Sequence, residues 1–73
     1  MNFSASILGF GCYLLDKLNN PNSIDQLWGE YQRDLNDKTF TYRHSFDKLI
    51  ITLIFLYSIG AIKEQNGTLL KCD

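Results

Sequence analysis

From about Ser4 to Asn19, the apolar residues Ile7, Leu8, Gly11, Leu14, Leu15 and Leu18 recur at helical spacing and trace one continuous stripe. Gly9 and Gly11 each cost roughly 1 kcal/mol relative to alanine inside a helix. Their small size lets another backbone come close, so packing offsets the loss. Phe10 and Tyr13 fall at the edge of the stripe or outside it, and Asn19-Asn20-Pro21 ends the helix. Ser23, with Gln26 three residues on, reads as a capping box. It opens a second helix over Ile24 to about Leu35, with Ile24, Leu27, Trp28, Tyr31 and Leu35 on one face and Glu30, Arg33 and Asp34 on the other.

Asn36 to His44 is a connection, in which the alternation Thr39-Phe40-Thr41-Tyr42 suits a short extended segment. Ser45 caps a third helix that runs to about Ile59 and is closed by Gly60, a residue suited to the left-handed position after a helix. Its expected core face is Phe46, Leu49, Ile50, Leu53, Leu56 and Tyr57. The opposite side is not polar, because Ile51, Phe55 and Ile59 point away from that stripe. A helix apolar nearly all round has to be covered on both sides. Beyond Gly60, the runs Ala61 to Glu64 and Thr68 to Lys71 flank Gln65-Asn66-Gly67, and Asn-Gly in that setting predicts a hairpin with a type I′ turn. The expected fold is therefore α+β and mostly α, with three helices followed by a C-terminal β-hairpin. That is the element order of a small winged helix-turn-helix domain, here a single domain over residues 1–73.

Composition sharpens the problem of the third helix. With 73 residues, 45% of them hydrophobic, there is more apolar surface than so small an interior absorbs. Charged residues make up 21% and the net charge is −1, which argues against disorder and against a strongly basic nucleic-acid tail. Cys12 and Cys72 are too few for a secreted disulfide framework, and two reduced thiols fit better than a bridge between them. Met1 to Leu15 is uncharged but lacks the basic start and small-residue cleavage site of an export signal. The uncharged run Leu49 to Ile62 is too short to span a bilayer, which takes about 20 apolar residues. Asn66-Gly67-Thr68 matches a glycosylation sequon, but a tight turn accounts for it. The expectation is a cytoplasmic protein without a membrane segment.

Catalysis needs converging polar groups, and few are on offer. His44, the only histidine, lies in a loop beside Arg43 and reads as a solvated residue rather than a general base. Cys12 sits in a helix with Lys17 as the nearest basic residue, so nothing activates its thiolate. The carboxylates are scattered without metal-ligand spacing, and no glycine-rich phosphate loop occurs. An enzyme is not expected, nor a cofactor or metal.

DNA binding is the physical rival, because winged helices often bind DNA. Residues 1–37 hold two basic against five acidic side chains, and residues 38–73 five basic against three acidic. Lys38, Arg43, His44 and Lys48 form a small positive patch at the start of the third helix, and Lys38, Arg43 and Lys48 are the candidate phosphate contacts. After Lys48, however, the helix presents Ile51, Thr52, Phe55 and Ile59, which read base edges poorly. A protein interface suits the composition better, with Phe10, Tyr13, Phe40, Ile51 and Phe55 as its candidate residues. The alternative is that Ile51 and Phe55 are covered internally, by the N-terminal segment and the Phe40 loop.

The order of motifs adds a resemblance. Ser45-Phe46-Asp47-Lys48-Leu49-Ile50, continuing through Leu53-Ile54-Phe55-Leu56-Tyr57-Ser58-Ile59-Gly60-Ala61-Ile62, precedes the short hairpin with Asn66-Gly67. Upstream stand Ser6-Ile7-Leu8-Gly9-Phe10-Gly11 and Ser23-Ile24-Asp25-Gln26-Leu27-Trp28. Over nearly its whole length the chain resembles the type-six middle component of bacterial ABC-three component systems. The resemblance implies a non-catalytic adaptor encoded beside a large SMC- or RecN-like ABC ATPase and an effector, often a nuclease. It also implies an anti-phage or anti-plasmid role related to Lamassu defence, with DNA met only through the complex. It brings no catalytic residues, and it implies a longer leader before the first helix than Met1-Asn2-Phe3 supplies. A small winged-helix DNA-binding regulator is the alternative.

Overall fold

Serine caps set the start of every helix. In the computed structural model, residues 6–38 and 43–72 are described. Helix α1 spans Ile7–Lys17, α2 spans Ile24–Asn36 and α3 spans Phe46–Ser58. The Ser6, Ser23 and Ser45 hydroxyls accept the amides of Gly9, Gln26 and Lys48 at 2.9, 3.1 and 3.1 Å. Each thereby satisfies a donor that the first helical turn leaves unpaired. At α2 the predicted capping box is complete, because the Gln26 side chain accepts the Ser23 amide at 3.0 Å.

Helix α3 ends as its glycine predicts. Gly60 takes a φ of +77°, its amide bonds the Tyr57 carbonyl, and the Ala61 amide reaches back to the Leu56 carbonyl at 2.9 Å. Those two bonds make a Schellman closure, which turns the chain sharply into the hairpin. Strands β1 (Ile62–Gln65) and β2 (Thr68–Lys71) pair antiparallel, with Gln65 opposite Thr68. Asn66 and Gly67 both have positive φ, 54° and 82°, as a two-residue type I′ turn demands.

A contact between distant parts of the chain was not legible from local patterns. Asn22, between α1 and α2, forms an antiparallel bridge with Leu69, exchanging backbone bonds of 3.1 and 2.7 Å. Strand β2 therefore lies between β1 and the α1–α2 connection, and the hairpin is tied to the helical body. The Asn22 side chain is held in turn by Glu30 at 2.7 Å.

The core draws on every element: Phe10, Leu14 and Leu18 from α1, Leu27 and Tyr31 from α2, Leu49, Leu53 and Leu56 from α3, Ile62 and Leu69 from the hairpin. Gly11 sets how closely α1 meets α3. A Cβ there would stand 3.3 Å from Leu56 Cδ2 and 3.7 Å from Thr52 Cγ2, so side chains of α3, not its backbone, fill the space.

Several expectations need correction. Phe10, placed outside the stripe as an exposed interface aromatic, is completely buried. His44, expected in solvent, is buried and stacks on Phe10 at 4.1 Å with rings 8° from parallel. Asp34, assigned to the polar face of α2, is buried as well. Phe46 and Tyr57, assigned to the core face of α3, are exposed, while Thr52 is fully buried in their stead. The buried face of α1 runs through Gly9, Phe10, Gly11 and Leu14 and that of α3 through Leu49, Thr52, Leu53 and Leu56, while His44 is buried against Phe10 and Asp34 is held by Tyr13 and Lys17. The extended segment expected at Thr39-Phe40-Thr41-Tyr42 lies outside the described residues.

Candidate docking surface on the third helix

Helix α3 carries a buried face and an apolar face that none of the described residues covers. Leu49, Thr52, Leu53 and Leu56 turn inward, and the Thr52 hydroxyl is satisfied locally by the Lys48 carbonyl at 2.7 Å. On the other side, Ile51, Ile54, Tyr57 and Ile59 are each 51–61% exposed. Covering an apolar side chain of this kind contributes roughly 1.5–3 kcal/mol when the exposure is complete, and about half to two-thirds of that here. Among the described residues, polar relief on this face comes from Asp47, from the Tyr57 hydroxyl and from Ser58, whose hydroxyl folds back on the Ile54 carbonyl at 2.8 Å.

One flank of the face deepens into an open groove of about 220 Å³. Ile50, Leu53, Ile54 and Tyr57 of α3 form its long wall. Ile24 at the start of α2, with Ile62 and Leu69 of the hairpin, closes the other side. Ile50, Ile54 and Tyr57 follow the spacing i, i+4, i+7, which places them in one row along the helix. The groove exists because the Schellman turn and the Asn22–Leu69 bridge hold the hairpin against the helices.

The expected interface residues divide. Ile51 is exposed on the outer face, while Phe55 is half-buried and packs against the core. Tyr13 is half-buried and donates its hydroxyl to Asp34, and Phe10 belongs to the core. Phe40 lies outside the described residues. Sequence reasoning missed Ile54, and it gave Ile50 and Tyr57 to the core rather than to a groove. The signal was present in their own i, i+4, i+7 row, which competes with the core stripe beside it. Of the candidate phosphate contacts, Lys38 and Arg43 are exposed and Lys48 is half-buried in the first turn of α3.

Away from α3, polar chemistry is concentrated under α1 and serves packing. Asp34 accepts the Tyr13 hydroxyl and pairs with Lys17 Nζ at 2.9 Å. Burial pushes the Asp34 carboxyl up, but the bonds from Tyr13 and Lys17 and the charges of Lys17 and Arg33 outweigh it, leaving it below its usual value. The Tyr13 hydroxyl is pushed well above its ordinary value by burial first and by the Asp34 carboxylate second. Burial also raises the Tyr31 hydroxyl, against the opposing effects of the His44 amide that it accepts and the Arg43 charge.

Among the described residues, no group of three His, Cys, Asp or Glu side chains is placed to hold a metal ion. Cys12 and Cys72 are free thiols. No helix among the described residues is long and apolar enough to cross a membrane.

The sequence profile of the ABC-three component (ABC-3C) system Middle Component 6 family matches residues 1–72, and the chain belongs to that family. No curated protein and no solved structure shows a significant match to it.

Proposed function

We propose that this middle component is a non-catalytic adaptor that works in the bacterial cytoplasm. It joins an SMC- or RecN-like ABC ATPase to an effector protein, in an anti-phage or anti-plasmid complex related to Lamassu systems. Residues 1–73 act as one winged-helix-like adaptor domain, and the outer side of α3 is its docking surface. The observation that carries this reading is the exposed apolar set Ile51, Ile54, Tyr57 and Ile59. It occupies the helix with which a DNA-binding winged helix reads the major groove, and it offers no side chain suited to base edges. Apolar surface concentrated on one helix of a small domain marks a protein contact. The adaptor acts by differential binding: it stabilises one arrangement of ATPase and effector over another, and needs no chemistry of its own.

The test is a bridging experiment on the three co-expressed components. Affinity-tagged ATPase retains the effector when this chain is present and loses it when the chain is omitted. Retention without the chain sinks the reading. The second reading, a DNA-binding winged-helix regulator, draws on the exposed Lys38 and Arg43 and on the hairpin tied to the helical body. It requires that Arg43→Glu with Lys48→Glu abolish binding of the isolated chain to duplex DNA in a gel-shift assay. The adaptor reading expects no such binding to lose, with DNA reached only through the complex.

A further inference from the structure

The groove between α3 and the hairpin has features that select among occupants. Its walls are almost entirely apolar, and its volume of about 220 Å³ falls below the roughly 300–1,000 Å³ of small-molecule sites. With no polar group converging on it, a metabolite would have nothing to orient it. The long wall is a straight row, Ile50, Ile54 and Tyr57, which spans two helical turns or about 10 Å. A second helix laid along such a row meets it with side chains at its own i, i+3 or i+4, and i+7 positions. An added β-strand is a poorer fit, because the edge strand β1 is only four residues long and carries Lys63 and Glu64.

Charge narrows the occupant further. Asp25 follows Ile24 in the first turn of α2, and Asp47 stands in the first turn of α3, one turn before Ile50. Glu64 lies opposite Leu69 across the hairpin, on the face that Ile62 and Leu69 turn to the groove. Against these three carboxylates the same hairpin face holds one ammonium, Lys71 opposite Ile62, and its Nζ is engaged by the Asn19 side chain at 3.2 Å. The groove is thus apolar inside and acidic at its margin. Two copies joined through it would set carboxylates against carboxylates, which disfavours a self-paired dimer.

We infer that the groove takes an amphipathic helix of one of the other two system components, with two or three aliphatic anchors flanked by Lys or Arg. This deepens the adaptor reading and rests on it. In the assembled three-component complex, a photo-crosslinking benzoyl-phenylalanine at position 54 should trap one peptide of the ATPase or the effector. Mass spectrometry should identify that peptide as having apolar residues at helical spacing with basic neighbours. Ile54→Asp should weaken capture of the same component by at least roughly tenfold, as loss of a central apolar anchor does. Asp47→Lys with Glu64→Lys should weaken it less and invert the salt dependence of association, because the margin then carries more positive than negative charge. An isolated chain with Ile54→Asp that keeps the parental melting transition shows that the loss is not unfolding. A crosslink to a second copy of this chain, to a strand or to an acid-flanked segment overturns the inference, as does a three-component complex that forms without any crosslink at position 54. In those outcomes bridging persists and the adaptor reading stands. If bridging itself fails, both fall.

Discussion

The two sides of this small domain invert the usual distribution of polarity. Under α1, polar groups are buried: His44 lies against Phe10, Asp34 takes the Tyr13 hydroxyl and the Lys17 ammonium, and Tyr31 accepts the His44 amide. Across the molecule, α3 turns Ile51, Ile54, Tyr57 and Ile59 to solvent. The first side holds together because every buried polar group there has a partner, which a low-dielectric interior requires. The second side has apolar surface that none of the described residues covers, which folding alone does not select. The lesson is that burial here follows what the fold can satisfy, and the exposed apolar side of α3 is what the proposed docking would cover.

Phe10→Ala tests the buried side most severely. It removes the ring that packs against His44, Tyr31 and Tyr13. The expected cost of about 3–5 kcal/mol equals roughly the whole stability of a core this small. Circular dichroism should show no cooperative melting transition at any temperature. A variant that melts within a few degrees of the parent would place Phe10 back on the surface and break the contrast.

Asp34→Asn comes next, with an expected loss of about 1–3 kcal/mol. It leaves Lys17 without its carboxylate and weakens the Tyr13 bond. The pH dependence gives the sharper measure. The folded Asp34 carboxyl titrates below its ordinary 3.8, so the unfolded chain takes up the proton first as pH falls. Its stabilising contribution is complete above the unfolded value and declines below about pH 4, through the folded value. Urea midpoints of the parent measured from pH 6 to pH 2 should fall across that window, and the Asn variant should show a shallower decline.

The smallest effect on stability belongs to the exposed side. Ile51→Ser and Ile54→Ser should each move the denaturation free energy by no more than about 0.5 kcal/mol. A loss of 2 kcal/mol or more at Ile51 would mean that the outer face is covered within the chain, and the two sides would no longer differ. Phe55→Asp is a poorer probe, because Phe55 already packs on the core and its loss confounds folding with docking.

What was legible in the sequence is what local chemistry decides. Ser23 and Ser45 as caps, Gly60 as the α3 terminator and Asn66-Gly67 as the hairpin turn each involve bonds within a few residues. They therefore place three helices and a hairpin in the right order. The burial of Phe10 and His44 depends on three separate segments meeting, and the Asn22–Leu69 bridge on two, which no periodicity encodes. For α3 the difficulty was different in kind. A helix apolar on most of its circumference announces two contacts, but the pattern does not say which side belongs to the chain itself. Periodicity favoured Phe46, Ile50 and Tyr57 for the inside; Gly11 drew α1 onto Thr52 and Leu56 and turned those three toward the groove or solvent. The stretches of this chain that carry the family resemblance hold these same caps, turns and core positions.

The tie between Asn22 and Leu69 has a consequence for the order in which the molecule is made. The three helices rest on local bonds and form early, but the hairpin docks only when residues from opposite halves of the chain have closed a long loop. Synthesis delivers the N-terminal half first, and Leu69, which supplies both the bridge and one wall of the groove, emerges after all three helices. A nascent chain or a fragment lacking Thr68–Lys71 therefore has helices without the Leu69 wall of the groove. On the docking proposed above, assembly would begin only with chains complete through β2.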